Sequence, residues 1–480
     1  MNSAQLIAIA PQLILSFGIV LSLLLIAWQR SKWLIQGFTF FIFVLALIAT
    51  LDLYPIDNIQ VTVLLLVDSY SLVALVLILI SALTITVFSG FYLAKYTEVH
   101  DEFYLLLQLV ILGAAILVIS DHFASVFLGF ELLSMALVGM VGYFRESDHG
   151  LESAFKYLIL SATASSFMLL GIAFIYGTTG SLSFAMASNA NHLIDHLYLA
   201  GIILFLLGLC FKLSLVPFHY WTPDVYQGAP TPVTMLLATV SKVAIFTVLI
   251  KYWFSQVNYG DESLTEIISL IAILSMLVGN VMALRQNNIK RLLGYSSIAH
   301  MGYLLIILLI TSTQNITFAW QAALFYLAAY LLASLLIFMV LIVSHRKNNS
   351  DQIEIVHWRG MFWHQPWLAM AVIISLLSFA GIPLTMGFIG KFYLLVQATQ
   401  QQLWLLIATL ITGSGIALYY YLRIIFVLFA QHQEQSIAPQ HGDIDNIFQP
   451  VIARVTIAIF SGAIIVIGIF PDVYAYFLSA

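Results

Sequence analysis

The chain has 480 residues, 62% of them hydrophobic and only 8% charged, with a formal net charge of −5 and a mean hydropathy of +1.02. A water-soluble domain carries about 25% charged residues, so this composition excludes a soluble multidomain chain and predicts helices crossing a bilayer. The net charge rests on too few residues to point to any partner.

A helix needs roughly 20 mainly apolar residues to cross a ~30 Å hydrocarbon core. Fourteen such spans are predicted: 6–27, 34–53 and 70–93; then 103–120, 123–143, 156–177, 197–226 and 233–253; then 263–284, 295–311, 318–344, 367–397 and 403–429; and last 450–475. The first follows Met-Asn-Ser-Ala-Gln with no basic residue ahead of it. It is longer than the apolar region of a signal peptide, so it is expected to remain as a span. The fold class expected is an all-α polytopic membrane protein. It divides into an N-terminal three-helix segment (1–102), five-helix units (103–255 and 262–430) and a C-terminal helix (446–480).

Cytoplasmic loops collect Lys and Arg. With the N-terminus outside, thirteen of the seventeen basic residues fall in inner loops or helix ends, from Arg30 and Lys32 to Lys290, Arg291 and Arg454. Lys251 alone falls outside, and Lys212, Lys242 and Lys391 lie within spans. Both termini are therefore expected on the outer side.

The segments 197–226 and 367–397 are unusually long and contain Pro217 and Pro383. Proline removes a backbone donor and clashes with the preceding turn, and broken helices survive in a membrane only where protein or water lines them. Each break falls in the fourth span of its five-span unit. An odd number of spans makes the second unit start from the opposite face, so two inverted repeats, each with a proline-broken helix on a transport path, are expected.

Glu131, in FLGFELLSMALVGM, is the only acid expected well inside a span. Lys212 lies in CFKLSLVPFHYW just before Pro217, Lys242 sits near the middle of 233–253, and Lys391 follows Pro383 in AGIPLTMGFIGKFY. A charge at mid-bilayer costs about 2.5–3.5 kcal/mol on insertion scales, so four together predict a functional pathway. Snorkelling near a helix end is the competing explanation, strongest for Lys391. A lysine in water holds its proton at neutral pH, with a pKa of about 10.4; burial and a nearby carboxylate act on it in opposite directions. Glu131 is accordingly expected to pair with Lys212 in one state and leave it in another, passing a proton towards Lys242.

His219, just beyond Pro217, is a candidate relay. Tyr295 and His300, with Ser296 and Ser297, give their span a polar stripe that would hold water; the alternative for each is an ordinary helix–helix hydrogen bond. Lys156 would either anchor the inner face or feed the buried chain. Gly139, Gly142, Gly171 and Gly208 are expected to permit close helix packing. The polar loops around 345–366 and 430–449 hold no catalytic pattern. One cysteine, Cys210, makes neither an intrachain disulfide nor an iron–sulfur site, and no GxGxxG loop marks a dinucleotide site.

The stretch FKLSLVPFHYWTPDVYQGAPTPVTMLLATVSKVAIF resembles the signature of the antiporter-like membrane subunits of proton-pumping NADH:quinone oxidoreductase, respiratory complex I. Its P-x-H-x-W-x-P-D core is shared with subunits of multisubunit Na⁺/H⁺ antiporters. The form WTPDVYQGAPTPVT, with VMALRQNNIKRLLGYSSIAHMGY later, is similar to the subunit N branch. The resemblance covers essentially the whole chain. It implies fourteen helices in two inverted repeats and proton-carrying roles for Glu131, Lys212, Lys242 and Lys391. A sister branch carries Glu at the last position, and the largest sister continues into a long lateral helix, so both are disfavoured.

By this resemblance the chain is a translocase subunit of the bacterial inner membrane, with both termini periplasmic. It would bind no cofactor or metal; flavin, iron–sulfur clusters and quinone would reside in other subunits. Its partners would be lipid and other membrane-arm subunits, both antiporter-like and small, with no nucleic acid. The alternatives are a subunit of a cation/proton antiporter, and a membrane scaffold whose buried charges are dispensable.

Overall fold

The computed structural model describes residues 2–28, 30–54, 58–94, 101–144, 148–184, 196–255, 262–309, 316–344, 354–430 and 451–471. The N-terminal segment holds α1 (Ser3–Ala8), α2 (Ala10–Trp28), α3 (Lys32–Asp52) and α4 (Ser69–Leu93). The first five-pass unit comprises α5 (Asp101–Val118), α6 (Phe123–Val141), α7 (Asp148–Thr179), the pair α8 (His196–Leu213) and α9 (Trp221–Gly228), and α10 (Thr231–Ala238) running on into α11 (Val240–Ser255). The second comprises α12 (Glu262–Leu284), α13 (Ile289–Leu304), α14 (Ile316–Ser344), the short α15 (Met361–His364) with the pair α16 (Pro366–Ala380) and α17 (Met386–Gln400), and α18 (Trp404–Phe429); α19 (Val451–Ile469) follows. Among the described residues, thirteen helices are long and apolar enough to cross a membrane. The shorter apolar α16 makes the remaining pass together with α17, so the fourteen predicted spans are all present, the ends of several lying outside the described residues.

Each long segment is two helices, and the two breaks are capped alike. The Ser214 and Leu215 N–H groups donate to the Phe211 and Cys210 carbonyls at 3.0 and 2.9 Å; the Gly381 and Ile382 N–H groups donate to Ser378 and Leu377 at 3.1 Å each. These are paired helix-ending bonds around a left-handed residue, Ser214 with φ 64° and Gly381 with φ 78°. The shared geometry is what an internal repeat requires.

Helix contacts repeat as well. A Cβ at Gly113 would lie 2.8 Å from the Leu133 nitrogen (α5 on α6), and one at Gly279 2.8 Å from the Ala299 nitrogen (α12 on α13). Of the glycines singled out from sequence, Gly171 touches backbone: a Cβ there would meet the Gly201 oxygen and Phe205 nitrogen at 2.6 Å. Cβ atoms at Gly208 and Gly142 would press on Met168 and Ala154, whereas one at Gly139 meets only Leu106 at an ordinary 3.4 Å. Gly139 is therefore not needed for packing.

One element departs from the all-α expectation. β1 (Ile59–Thr62) pairs antiparallel with β2 (Leu65–Val67). The apolar run over 61–67 is too short for a span, and its alternation is too brief to predict a strand. The hairpin is fixed from outside: Leu66 N–H donates to Ile119 at 2.9 Å, Asp121 N–H to Leu64 at 3.1 Å, and Gln5 Nε2 to the Gln60 carbonyl at 3.1 Å.

The helix Thr231–Ser255 and the stretch Ile289–Leu309 are almost wholly enclosed by neighbouring helices, while α2 and α19 keep most of their surface outward. Lys242 and His300 are thereby placed at the centre of the molecule. Where the units meet, an apolar cavity of about 190 Å³ is lined by Cys210, Pro217, Leu249, Ile268 and Leu305 among others.

Candidate functional site: an enclosed file of lysines

In the first unit Lys212 lies in the last turn of α8, fully buried. Its ammonium donates to Ser134 Oγ on α6 at 2.7 Å and to the Tyr157 hydroxyl on α7 at 2.5 Å. It lies over the Phe130 and Tyr157 rings, 5.2 and 4.8 Å from their centroids, where ring faces attract a cation. Glu131 is three residues before Ser134 on the same helix, within reach of the same neighbours. Its Oε1 is buried without a hydrogen-bond partner, and no ion pair joins it to Lys212 among the described residues. The predicted pair is open in this state, with neutral hydroxyls holding the lysine.

Lys242, fully buried on α11, donates to Ser214 Oγ at 2.6 Å and to the Lys212 carbonyl at 3.2 Å. Ser214 is also bonded by the Thr222 hydroxyl at 2.5 Å. The break frees the Lys212 carbonyl, which belongs to the electronegative end of α8. In the second unit Lys391 repeats the arrangement. Its Nζ donates to the Phe379 and Ala380 carbonyls at the end of α16, both at 3.0 Å, and to Ser414 Oγ at 3.2 Å. An ammonium turned inward onto these carbonyls is not snorkelling.

His300, buried on α13, reaches the Tyr326 hydroxyl through Nδ1 at 2.7 Å and the Tyr421 hydroxyl through Nε2 at 3.4 Å. Ser296 bonds the same Tyr421 hydroxyl at 2.5 Å. Between His300, Tyr326, Tyr330 and Lys391 lies a small cavity of about 10 Å³, room for about one water. Ser297 Oγ and the Tyr226 hydroxyl are buried without a hydrogen-bond partner among the described residues, and the units are joined instead by the Val216 N–H of the first break, which donates to Ser275 Oγ at 3.0 Å.

The other predicted residues stand apart. His219 is buried in the first break, stacked on Tyr220 at 4.6 Å, and its Nδ1 has no hydrogen-bond partner among the described residues. Tyr295 is buried but no described hydrogen bond ties its hydroxyl to the lysines. Lys156 is drawn to Glu152 at 2.7 Å and Asp224 at 2.9 Å, and Asp224 also holds Arg291 at 2.6 Å. That part-exposed cluster ties α7, α9 and α13 together, and Lys156 acts there as an anchor.

Two lysines counted outside the membrane path are in fact enclosed. Lys290 is fully buried with its ammonium on the Ala229 carbonyl at 2.7 Å. Lys251 pairs with Asp68 at 3.3 Å and donates to the Leu66 carbonyl at 3.0 Å. Nearby, in the turn before α6, burial pushes the Asp121 carboxyl up, and Lys251 opposes that shift. Ser134, Tyr157, Ser214, Tyr326, Tyr421 and Ser414 were not singled out from sequence, because isolated hydroxyls are ordinary in membrane helices.

The fold and site define a multi-pass helical membrane protein with two interrupted-helix units and an enclosed polar file. Residues 120–417, most of both units, match the NADH:quinone oxidoreductase/Mrp antiporter transmembrane family, and the chain belongs to that family. It is similar to a chain of respiratory complex I from Thermus thermophilus, solved with bound aureothin: 31% identity, TM-score 0.81, covering 96% of this chain and 97% of that one. It also resembles a chain of an archaeal membrane-bound sulfane sulfur reductase (23% identity, TM-score 0.84, 100% and 96% coverage). A chain of the Mrp complex from Dietzia sp. DQ12-45-1b gives 19% identity, TM-score 0.85 and 100% and 96% coverage. The last two likenesses concern the fold alone.

Proposed function

We propose that the chain is the subunit N-like, proton-translocating membrane-arm component of a bacterial NADH:quinone oxidoreductase. Protons would move along Glu131, Lys212, Lys242, His300 and Lys391 while quinone is reduced elsewhere in the complex. One observation carries the reading: three enclosed lysines are held by hydroxyls and helix-end carbonyls, with no carboxylate bonded to any of them among the described residues. A buried ion pair that loses one partner leaves an uncompensated charge. An ammonium among neutral acceptors leaves none when it gives up its proton. Glu131, poised beside Ser134, supplies the one negative charge able to draw Lys212 towards its charged form.

The break carbonyls complete the device. They favour a cation in each unit, so a proton arriving on Lys242 or Lys391 is stabilised without a fixed acid. The electron-carrying groups lie in other subunits under this reading, and the even number of passes with the basic-residue distribution supports both termini facing the periplasm.

In vesicles bearing the assembled complex, Lys242→Ala is expected to abolish NADH-driven acidification; full acidification would favour a scaffold. The second reading, a cation/proton antiporter subunit, draws on the shared proline motif and the Mrp-like fold. Affinity purification in mild detergent separates the two. Co-purifying flavin, iron–sulfur signal and NADH:quinone activity are expected, whereas Na⁺/H⁺ exchange without them would establish the antiporter.

A further inference from the structure

The apolar cavity of about 190 Å³ between the units has two matching walls. Ile203, Leu206, Leu207 and Cys210 of α8 form one, and the stretch from Leu264 to Ile271 of α12 forms the other. Both walls follow the i, i+3, i+4, i+7 spacing of a single helix face. At 1.5 Å per residue each wall is about 10 Å long, so the cavity is a slot lying along the helices. Leu264 stands in the first turn of α12, near one membrane face, and Cys210 and Pro217 close the far end beside the first break.

The walls select the occupant. Among the lining side chains only the Cys210 thiol is polar, and a buried water needs about two to four polar partners, so water does not fill the slot. An apolar cavity of about 150 Å³ stays dry and takes up benzene. A partner helix, about 10–12 Å across with its side chains, would lie over the slot without filling it. The flank is open at Ile203 and Ile267, both exposed, and at this depth in a bilayer it faces hydrocarbon chains. A polar group marks the mouth. His196, the first residue of α8, is exposed and precedes Ile203 by seven residues, which puts it on the same helix face about two turns nearer the membrane surface. Its ring N–H is a hydrogen-bond donor at the level where lipid phosphates lie.

We propose that the slot binds one acyl chain of a phospholipid, with His196 donating to the headgroup phosphate. The chain packs on the face of α8 opposite Lys212, whose ammonium turns to Ser134 of α6 and Tyr157 of α7. It therefore braces the helix just ahead of the break without touching the lysine file.

The test uses the assembled complex in nanodiscs doped with a phosphatidylethanolamine that carries a diazirine at the end of one acyl chain. After irradiation, adducts on this chain are mapped by mass spectrometry. Adducts at Cys210, Ile268 or Ile271 are expected several-fold above the mean for the exposed residues of the same chain. His196→Ala is expected to lower the slot adducts several-fold and leave the others unchanged. Ile268→Trp, which fills the slot, is expected to remove them; if that form does not assemble, the wild-type map and His196→Ala decide. Slot adducts no denser than the mean, the result if a neighbouring subunit's side chain occupies the slot, overturn the lipid site. Slot adducts unmoved by His196→Ala overturn the headgroup contact.

Discussion

Ser214 stands in a left-handed conformation that glycine occupies at the equivalent break, Gly381. A Cβ there costs roughly 1–2 kcal/mol, and the hydroxyl that accompanies it accepts the Lys242 ammonium. Ser214→Gly should relieve the backbone and lose two hydrogen bonds, from Lys242 and Thr222, leaving stability within about 1 kcal/mol while NADH-driven acidification falls; Tm and a vesicle assay on one preparation check both. Tyr157→Phe leaves Lys212 with Ser134 alone and should slow pumping without preventing assembly, which a pumping-to-oxidation ratio would reveal. Glu131→Gln keeps the shape and removes the charge, and wild-type pumping in that variant would dismiss the acid's role. At this scale the three lysines were legible because charge is so costly in apolar spans. Their partners were not: Ser134, Tyr157 and Tyr326 are unremarkable by type, and only folding brings them to an ammonium. Lys290 misled for the opposite reason, since a lysine at a helix start reads as a surface anchor whereas here it is covered by the loop carrying Ala229.

Among the elements, the interrupted helices were announced by Pro217 and Pro383, but prolines alone do not say that both breaks share one capping geometry or that an ammonium settles on each. That knowledge needs the carbonyl directions. The hairpin of β1 and β2 escaped detection because its order depends on Ile119 and Asp121 outside it, which bond Leu66 and Leu64. Helix contacts make sharper forecasts. Gly171→Leu drives a side chain into the Gly201 oxygen, 2.6 Å from where its Cβ must lie; overpacking costs typically 1–3 kcal/mol, and loss of the assembled complex on native gels should follow. Gly139→Ala meets no such wall and should stay within about 0.5 kcal/mol of wild type in the same assay.

Across the whole molecule, the two units are fastened inside by the Val216–Ser275 and Lys290–Ala229 bonds and by the Lys156–Asp224–Arg291 cluster at one rim. Because those side chains remain 30–42% exposed, each pair is worth about 0–1 kcal/mol and is screened by salt. Asp224→Asn should therefore lower Tm slightly at low ionic strength and hardly at all in high salt, as differential scanning fluorimetry would record. The cavity where the units meet has a practical use. Its wall contains Cys210, the one cysteine of the chain. This chain thus carries one reporter thiol at the seam, and its labelling is read on this subunit after separation from the rest of the complex. A small maleimide should label it slowly at rest. Labelling that quickens during turnover would time the parting of the units, and an unchanged rate would describe halves that move protons while standing still.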